Sequence, residues 1–198
     1  MRNILVVAMM VVCTVALLPA QVGGGMVAGI NSCQVDGDLY GGYDKVGFHV
    51  GGVGFLKLSD AAYLQVEVLG SLRGSRRMEE SVLLWNLDIW GIENPWLLRL
   101  RLKEFTTGSL YAHAGLGPDL ALSATKTDQS GVGVDIMNDI MARASLTSHL
   151  GVDWYFTDSW ALTSRMSYTI GRIDNGINAI PWRHNVLSLG VRYMFDTK

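Results

Sequence analysis

Alternation of apolar and polar residues, repeated along most of the chain, is the feature that most constrains its fold. In LQVEVLGSLR (residues 64–73) leucine, valine and glycine occupy the even-numbered positions, while glutamine, glutamate, serine and arginine occupy odd-numbered ones. Successive side chains of a β-strand point to opposite faces, so this spacing predicts a strand with one apolar and one polar face. The same interpretation predicts eight strands, at residues 23–32, 45–58, 61–73, 84–102, 109–123, 142–157, 160–172 and 185–195.

The connections between these strands alternate in length. Those after the first, third, fifth and seventh strands are long and polar, whereas those after the second, fourth and sixth are short, as in SDA, KEFTTG and TDS. An even number of strands with long loops at one end and tight turns at the other is the plan of outer-membrane barrels. The predicted fold class is therefore all-β: an eight-stranded antiparallel up-and-down transmembrane β-barrel with a packed polar lumen.

The placement of basic residues indicates which face of the strands meets water, since a soluble eight-stranded barrel shows the same alternation. Lysine, a strongly hydrated cation, occurs only at strand ends, in loops or at the terminus. The polar faces instead carry arginine and carboxylates in near balance, which suits bidentate pairing in a narrow interior. The predicted polar network of the lumen is His49, Glu67, Arg73, Asp88, Glu93, Arg99, Arg101, His113, Asp119, Arg143, His149, Asp153, Arg165 and Arg192.

The apolar faces are predicted to contact outer-membrane lipid, because each arginine turned into the bilayer centre would cost ~2–4 kcal/mol. The final strand shows the two faces well: Arg192 is expected to point into the lumen, and Leu187 to Phe195 on the other parity toward acyl chains. Aromatic residues on the apolar face gather near the short turns, as an interfacial aromatic girdle would. They are Trp154, Phe156, Trp160, Tyr193 and Phe195.

The fourth strand is long and changes phase. Trp85, Leu87 and Ile89 are apolar on one parity, and after ENP the apolar residues begin again at Trp96 on the other. One inserted residue near positions 91–95 would restore a continuous apolar face. Since proline lacks an N–H, the sequence predicts a β-bulge there.

The N-terminus predicts an exported protein. Residues 1–3 carry a positive charge, residues 4–18 are uncharged, and Pro19-Ala20 offers a small residue for cleavage, so residues 1–20 are expected to be a cleaved signal peptide. Residues 21–198 are then a single domain of the outer membrane. That domain contains one cysteine, Cys33, interpreted as unpaired. The net charge of -2 argues against a nucleic-acid partner.

Two sequence stretches resemble known bacterial barrels. SLGVRYMF is similar to the terminal insertion signal of outer-membrane barrels, with Ser188, Gly190, Tyr193 and Phe195 at its characteristic places, and this implies recognition by the barrel-assembly machinery. The order of AGIN, VGFHVGG, LQVEVLGSLRGSRR, IENPWLLRLRL and YAHAGLGPDLALSA (residues 28–124) resembles the PorT-like family of small outer-membrane barrels. The founding member of that family assists type IX protein secretion, so the resemblance implies secretion or envelope proteins as partners.

The sequence favours structural roles for its polar residues over enzymatic or metal chemistry. No histidine has a serine two positions later, as a paired outward base and nucleophile would require. His49, His113 and His149 lie on separate strands without ligand spacing, so hydrogen bonding is favoured over metal binding. Glu67 and Glu93 have arginine neighbours, which favours ion pairs over acid–base catalysis. We expect no cofactor.

The function predicted from the sequence is a non-enzymatic barrel with a structural or interaction role through its long loops. One alternative is an accessory component of a protein secretion system of the PorT-like, type IX kind. The other alternative is a narrow pore or small-ligand channel.

Overall fold

The computed structural model describes residues 22–80 and 82–195, and in that part of the chain all regular structure is β. The predicted signal peptide, residues 1–20, lies outside the described residues. No helix within the described ranges has the length and apolar character needed to cross a membrane. The strands are β1 (Val22–Asp36), β2 (Lys45–Lys57), β3 (Ala62–Glu79), β4 (Val82–Glu93), β5 (Trp96–Phe105), β6 (Gly108–Asp128), β7 (Gly133–Asp135), β8 (Ala144–Tyr155), β9 (Trp160–Ile170) and β10 (Arg183–Met194).

The strands close into an antiparallel ring. Around the ring β1 pairs with β2, β2 with β3, β6 with β8, β8 with β9 and β9 with β10. β1 closes the ring against β10 over a register that runs from Gly25 opposite Met194 to Asp36 opposite Arg183. β4 and β5 follow one another along the same position, since both pair with β3 on one side and β6 on the other. The ring therefore has eight positions, as predicted, and β7 is an extra hairpin arm on β6.

The alternation of long and short connections is also confirmed, with one difference. The connections after β1, β6 and β9 are long, and those after β2, β5 and β8 are short; we call these two ends of the barrel the loop end and the short-turn end. The segment GSRRMEESV, expected to be a long loop, is mostly strand: β3 and β4 continue as a hairpin to Glu79 and Val82. Glu80 begins its turn with a positive φ of 46°.

The β-bulge predicted in the fourth strand near residues 91–95 is wrong, because the inward-facing parity does not change there. From Trp85 to Arg99 the odd-numbered residues of β4 and β5 face the interior, so Trp85, Leu87 and Ile89 are buried inside the barrel. Near the loop end the interior is itself apolar, and hydrophobicity there does not mark the outer face. The extra residue lies on β6 instead, because Trp90 pairs with Ser123 and Gly91 with Ala121.

The interruption between β4 and β5 stays hydrogen-bonded to both neighbouring strands. The Asn94 N–H donates to Pro118 O at 3.0 Å, on the β6 side. On the β3 side, the Glu67 N–H donates to Pro95 O at 2.9 Å and the Asn94 side-chain amide donates to Glu67 O at 2.5 Å. The Asn94 side chain thus supplies a bond that an uninterrupted backbone would otherwise make.

The two faces of the ring have opposite character. Outward-facing leucine, valine, isoleucine and aromatic side chains are exposed on every long strand, Leu150 by 63 % and Leu189 by 56 %. Arg192, between two such outward residues in the last strand, is 0 % exposed. The predicted orientation of that strand is therefore confirmed, with Tyr193 and Phe195 outward and Gly190 inward. Rings of the expected outer aromatic group are in contact, Trp160 with Tyr193 at 4.8 Å and Trp154 with Phe156 at 6.1 Å between centroids.

Two facing glycines leave room for a buried side chain at the seam where β1 pairs with β10. Gly29 and Gly190 lie opposite one another, beside the buried ring of His49. A β-carbon at Gly29 would collide with that ring and with the backbone of Leu189 and Gly190. In contrast, a β-carbon at Gly52 would meet nothing within 4 Å.

We therefore expect Gly29→Ala to destabilise the barrel by ~1–3 kcal/mol, the usual effect of overpacking. The matched variant Gly52→Ala should leave stability unchanged or raise it slightly, because alanine reduces the entropy of the unfolded chain. Urea unfolding of both variants in detergent micelles, followed by tryptophan fluorescence, measures the difference. Equal midpoints would show that the seam is not closely packed.

Candidate functional site

A buried ion-pair network fills the middle of the barrel, and Glu67 on β3 is its centre. One Glu67 oxygen accepts hydrogen bonds from Arg165 on β9 at 2.8 Å, from Arg192 on β10 at 3.0 Å and from the Gln65 amide at 2.6 Å. Arg192 also donates to Asp153 on β8 at 2.6 Å. These contacts join strands on opposite sides of the ring, so they fix its cross-section.

A second group of ion pairs lies toward the loop end. Arg73 on β3 donates to Asp119 on β6 at 2.9 Å and lies 3.3 Å from a Glu93 oxygen on β4. The Thr147 hydroxyl on β8 also donates to Asp119. All four side chains are buried.

The buried histidines complete the polar interior through neutral neighbours and one carboxylate. His49 Nδ1 lies 2.8 Å from the Asn31 side-chain oxygen, and His149 Nδ1 lies 2.9 Å from the Ser167 hydroxyl. His113 Nδ1 is 3.3 Å from Asp153. Across residues 22–80 and 82–195, no three histidine, cysteine, aspartate or glutamate side chains are grouped to hold a metal ion.

Arg99 closes the short-turn end of the network without a carboxylate of its own among the described ion pairs. Four aromatic rings surround its guanidinium, with centroids 4.4 to 5.8 Å from the central carbon. The guanidinium donates to the Tyr155 hydroxyl at 2.8 Å and to Gln65 Oε1 at 3.3 Å, and Gln65 in turn donates to Glu67. Cation–π contacts therefore stabilise this charge. The rings are those of Phe55, Tyr63, Tyr111 and Tyr155.

An apolar cluster closes the opposite end of the interior. It combines inward-facing strand residues with side chains from the long connections, and we call it the loop-end cluster. Because its members are buried against one another, it separates the ionic network from solvent at the loop end. Its buried members are Val35, Trp85, Leu87, Ile89, Ala124, Ile136, Met137, Met141, Ile173 and Trp182.

The charges of the network balance. Within the described part of the chain, four arginines (Arg73, Arg99, Arg165, Arg192) and four carboxylates (Glu67, Glu93, Asp119, Asp153) are buried in it. An unpaired ion in such a place would be unstable by several kcal/mol. The gap between the two ion-pair groups, beside Asn31, His49 and Arg73, has a volume of about 10 Å³, room for about one water molecule.

The structure brings together most, but not all, of the residues predicted for the lumen. The three histidines and eight of the charged residues are buried there. Asp88 follows buried Leu87 on β4 and lies on the opposite face of the strand. The Asp88 side chain is 31 % exposed and pairs with Lys45. Arg101 pairs with Glu104 at the short-turn end, and exposed Arg143 bonds Asn138 beyond β7. These three residues lie outside the network.

Neutral polar residues of the network were not predicted. Gln65 and Thr147 lie on the polar parity of their strands. The alternation would therefore predict them as lumen residues if neutral polar side chains were included. Asn31 lies at the end of a glycine-rich segment with weak alternation and gave no such signal. The loop-end cluster includes residues of the long connections. The two-residue alternation of strands does not extend into these connections and could not predict which of their side chains are buried.

Comparison with known proteins identifies the fold. Ail, the attachment invasion locus protein of Yersinia pestis, superposes with a TM-score of 0.51 at 20 % identity, over 87 % of this chain and 98 % of that one. Neisserial surface protein A (NspA) superposes with a TM-score of 0.53 at 16 % identity, over 87 % of this chain and 97 % of that one. The chain therefore has the fold of small eight-stranded outer-membrane barrels.

Sequence comparison does not assign the chain to a protein family. No protein-family model matches the chain, and no curated protein does either. The resemblance to PorT-like barrels stays a prediction.

The ion pairs of Arg192 lead to a stability test. Arg192→Met leaves Glu67 with one arginine and Asp153 with none, so we expect ~3–5 kcal/mol of destabilisation. Arg101→Met breaks a partly exposed pair and should change stability by less than ~1 kcal/mol. Urea midpoints in detergent micelles measure both. A small, equal effect for the two variants would contradict the central role of the buried network.

Proposed function

We propose that this protein is an integral outer-membrane barrel whose outer face contacts lipid. The observation that carries the proposal is the reversal of the two faces, with exposed leucines such as Leu150 outside and fully buried Arg192 inside. Lipid lets apolar side chains face outward, and all backbone groups of a closed ring are bonded between strands. The shared fold with Ail and NspA supports the same location.

The long connections are proposed to face the cell exterior and the short turns the periplasm, the usual arrangement in outer-membrane barrels. The terminal strand fits insertion from the periplasmic side, since Tyr193 and Phe195 project outward near the short-turn end. We propose that Ser188, Gly190, Tyr193 and Phe195 form the signal that the barrel-assembly machinery recognises.

The closed interior favours an interaction or structural role over conduction or catalysis. Ion pairs fill the centre of the barrel. Arg99 and the four aromatic rings around it, here called the Arg99 cage, lie at the short-turn end, and the loop-end cluster lies at the other end. A substrate or ion would have to displace side chains such as Glu67 and Arg192 that are fully buried and mutually paired. The surfaces that remain available to partners are the connections, above all those after β1, β6 and β9.

An accessory role in protein secretion is the second function that we propose to test, on the basis of the motif order in residues 28–124. Deletion of the gene followed by profiling of secreted and surface proteins addresses it. Loss of type IX cargo from the medium would support the role, and an unchanged profile would count against it.

Cysteine labelling tests the orientation. In a Cys33→Ala background, Val132→Cys places a thiol on the exposed connection before β7, and Thr106→Cys places one in an exposed short turn. A membrane-impermeant maleimide added to intact cells should label the first and spare the second, while lysed cells should show both labelled. Labelling of Thr106→Cys alone in intact cells would reverse the proposed orientation.

Planar-bilayer recording tests the closed lumen. The purified wild-type barrel should give little or no conductance in high salt, because paired side chains occupy the central cross-section. A salt-dependent unitary conductance from wild type that disappears with the heat-unfolded sample would support the pore alternative instead.

A further inference from the structure

A pocket lies at the loop end, on the surface proposed above for interaction with partners. It lies between the connections that follow β1 and β9, and its volume is about 370 Å³, a size suited to a small ligand. Side chains of aromatic, aliphatic and acidic type meet in it. The lining residues that matter here are Asp38, Leu39, Tyr40, Trp85, Ile180 and Trp182.

Three aromatic rings form one side of this pocket. The Tyr40 ring lies 5.3 Å from that of Trp85 with an interplanar angle of 33°, and the Trp182 ring lies 6.2 Å from Trp85 at 84°. The ammonium group of Lys126 lies 4.7 Å from the Trp85 ring centroid, so this aromatic group already accommodates one cation. Aromatic faces attract ammonium groups, and tryptophan does so most strongly.

Asp38 contributes a buried carboxylate to this pocket. Its side chain is only 5 % exposed; one carboxylate oxygen accepts the Tyr40 N–H at 2.9 Å, and the other has no hydrogen-bond partner in the described chain. Asp38 takes part in none of the ion pairs formed by residues 22–80 and 82–195. Burial holds the pKa of this carboxyl above its ordinary value, and the nearby Ser75 hydroxyl and the Tyr40 N–H only partly counter that rise.

We infer that this pocket binds an organic ammonium ion, which contacts the rings of Tyr40 and Trp182 and is attracted by the charge of the buried Asp38 carboxylate behind them. The aliphatic part of the ligand lies between Leu39 and Ile180 at the rim. Leu39 is 86 % exposed and has a positive φ of 72°, which leucine rarely adopts, so the loop presents an apolar side chain to solvent at a conformational cost. Charge complementarity selects a cation over an anion or a neutral molecule of the same shape.

The inference names a ligand class for the loop-mediated interaction proposed above, and its test is independent of which side of a membrane the loops face. Choline chloride is titrated into the purified full-length barrel in a non-ionic maltoside detergent, and saturation-transfer NMR detects binding. A phosphocholine detergent would carry the same cation and is avoided. The neutral isostere of choline, 3,3-dimethyl-1-butanol, is titrated in parallel.

We expect saturable choline binding and at least about tenfold weaker binding of the alcohol, the difference that a charged contact in a partly buried site makes. Asp38→Asn keeps an oxygen for the Tyr40 N–H but removes the charge, and should weaken choline binding at least about tenfold. Asp44→Asn removes an exposed charge from the same connection and should have no effect. Tyr40→Leu should also weaken binding.

Circular dichroism melting of each variant confirms that the barrel is folded before binding is compared. Equal affinity for choline and the alcohol, unchanged affinity in Asp38→Asn, or no saturable choline binding by wild type would each overturn the inference. None of these results would bear on maleimide labelling of the loops, so failure of the ligand site and failure of the proposed orientation are distinguishable.

Discussion

The need to stabilise every charge buried in the lumen shapes this barrel more than any other constraint. A closed ring of eight strands has too little internal space for a water-filled channel, so charged side chains that point inward must be stabilised by one another or, like Arg99, by aromatic rings and neutral polar groups. Glu67 satisfies two arginines from β9 and β10, and Arg192 reaches a second carboxylate on β8. Because these partners lie on different strands, the register of the strands and the pairing of the charges depend on each other.

The interior is organised in layers along the barrel axis. Arg99 within its aromatic cage lies at the short-turn end, the two ion-pair groups fill the middle, and the loop-end cluster closes the other end. Each layer fills the interior with different contacts. Aromatic ring faces surround the Arg99 guanidinium, carboxylates pair with the central arginines, and apolar side chains pack together where the strands end and the loops begin. Because the lumen is filled and the outer face of the strands is apolar, the loops are the surface that can present both polar and apolar side chains to a partner.

The strand count, the alternation of connections and the direction of Arg192 could be predicted because period-two alternation is local and strong. Three placements could not be. Asp88 and Leu87 lie next to one another, and only the tertiary packing of the loop end reveals that the apolar one is inside. Asn31 joins the network from a glycine-rich stretch whose pattern is weak. The Asp38 pocket depends on two connections that are distant in sequence and meet only in the folded chain.

The interruption at Asn94 and Pro95 bears on how apolar molecules could move past this protein. A proline in a barrel wall removes a ladder hydrogen bond and could open a side window between lumen and bilayer. Here the Asn94 side-chain amide donates to the backbone carbonyl of Glu67 on β3, and the Glu67 N–H donates to the Pro95 carbonyl. The backbone N–H of Asn94 donates to the Pro118 carbonyl on β6, so both margins of the interruption are hydrogen-bonded. Lateral passage of a lipid or hydrocarbon through the wall would require these bonds to break beside the same residue whose carboxylate holds the central arginines.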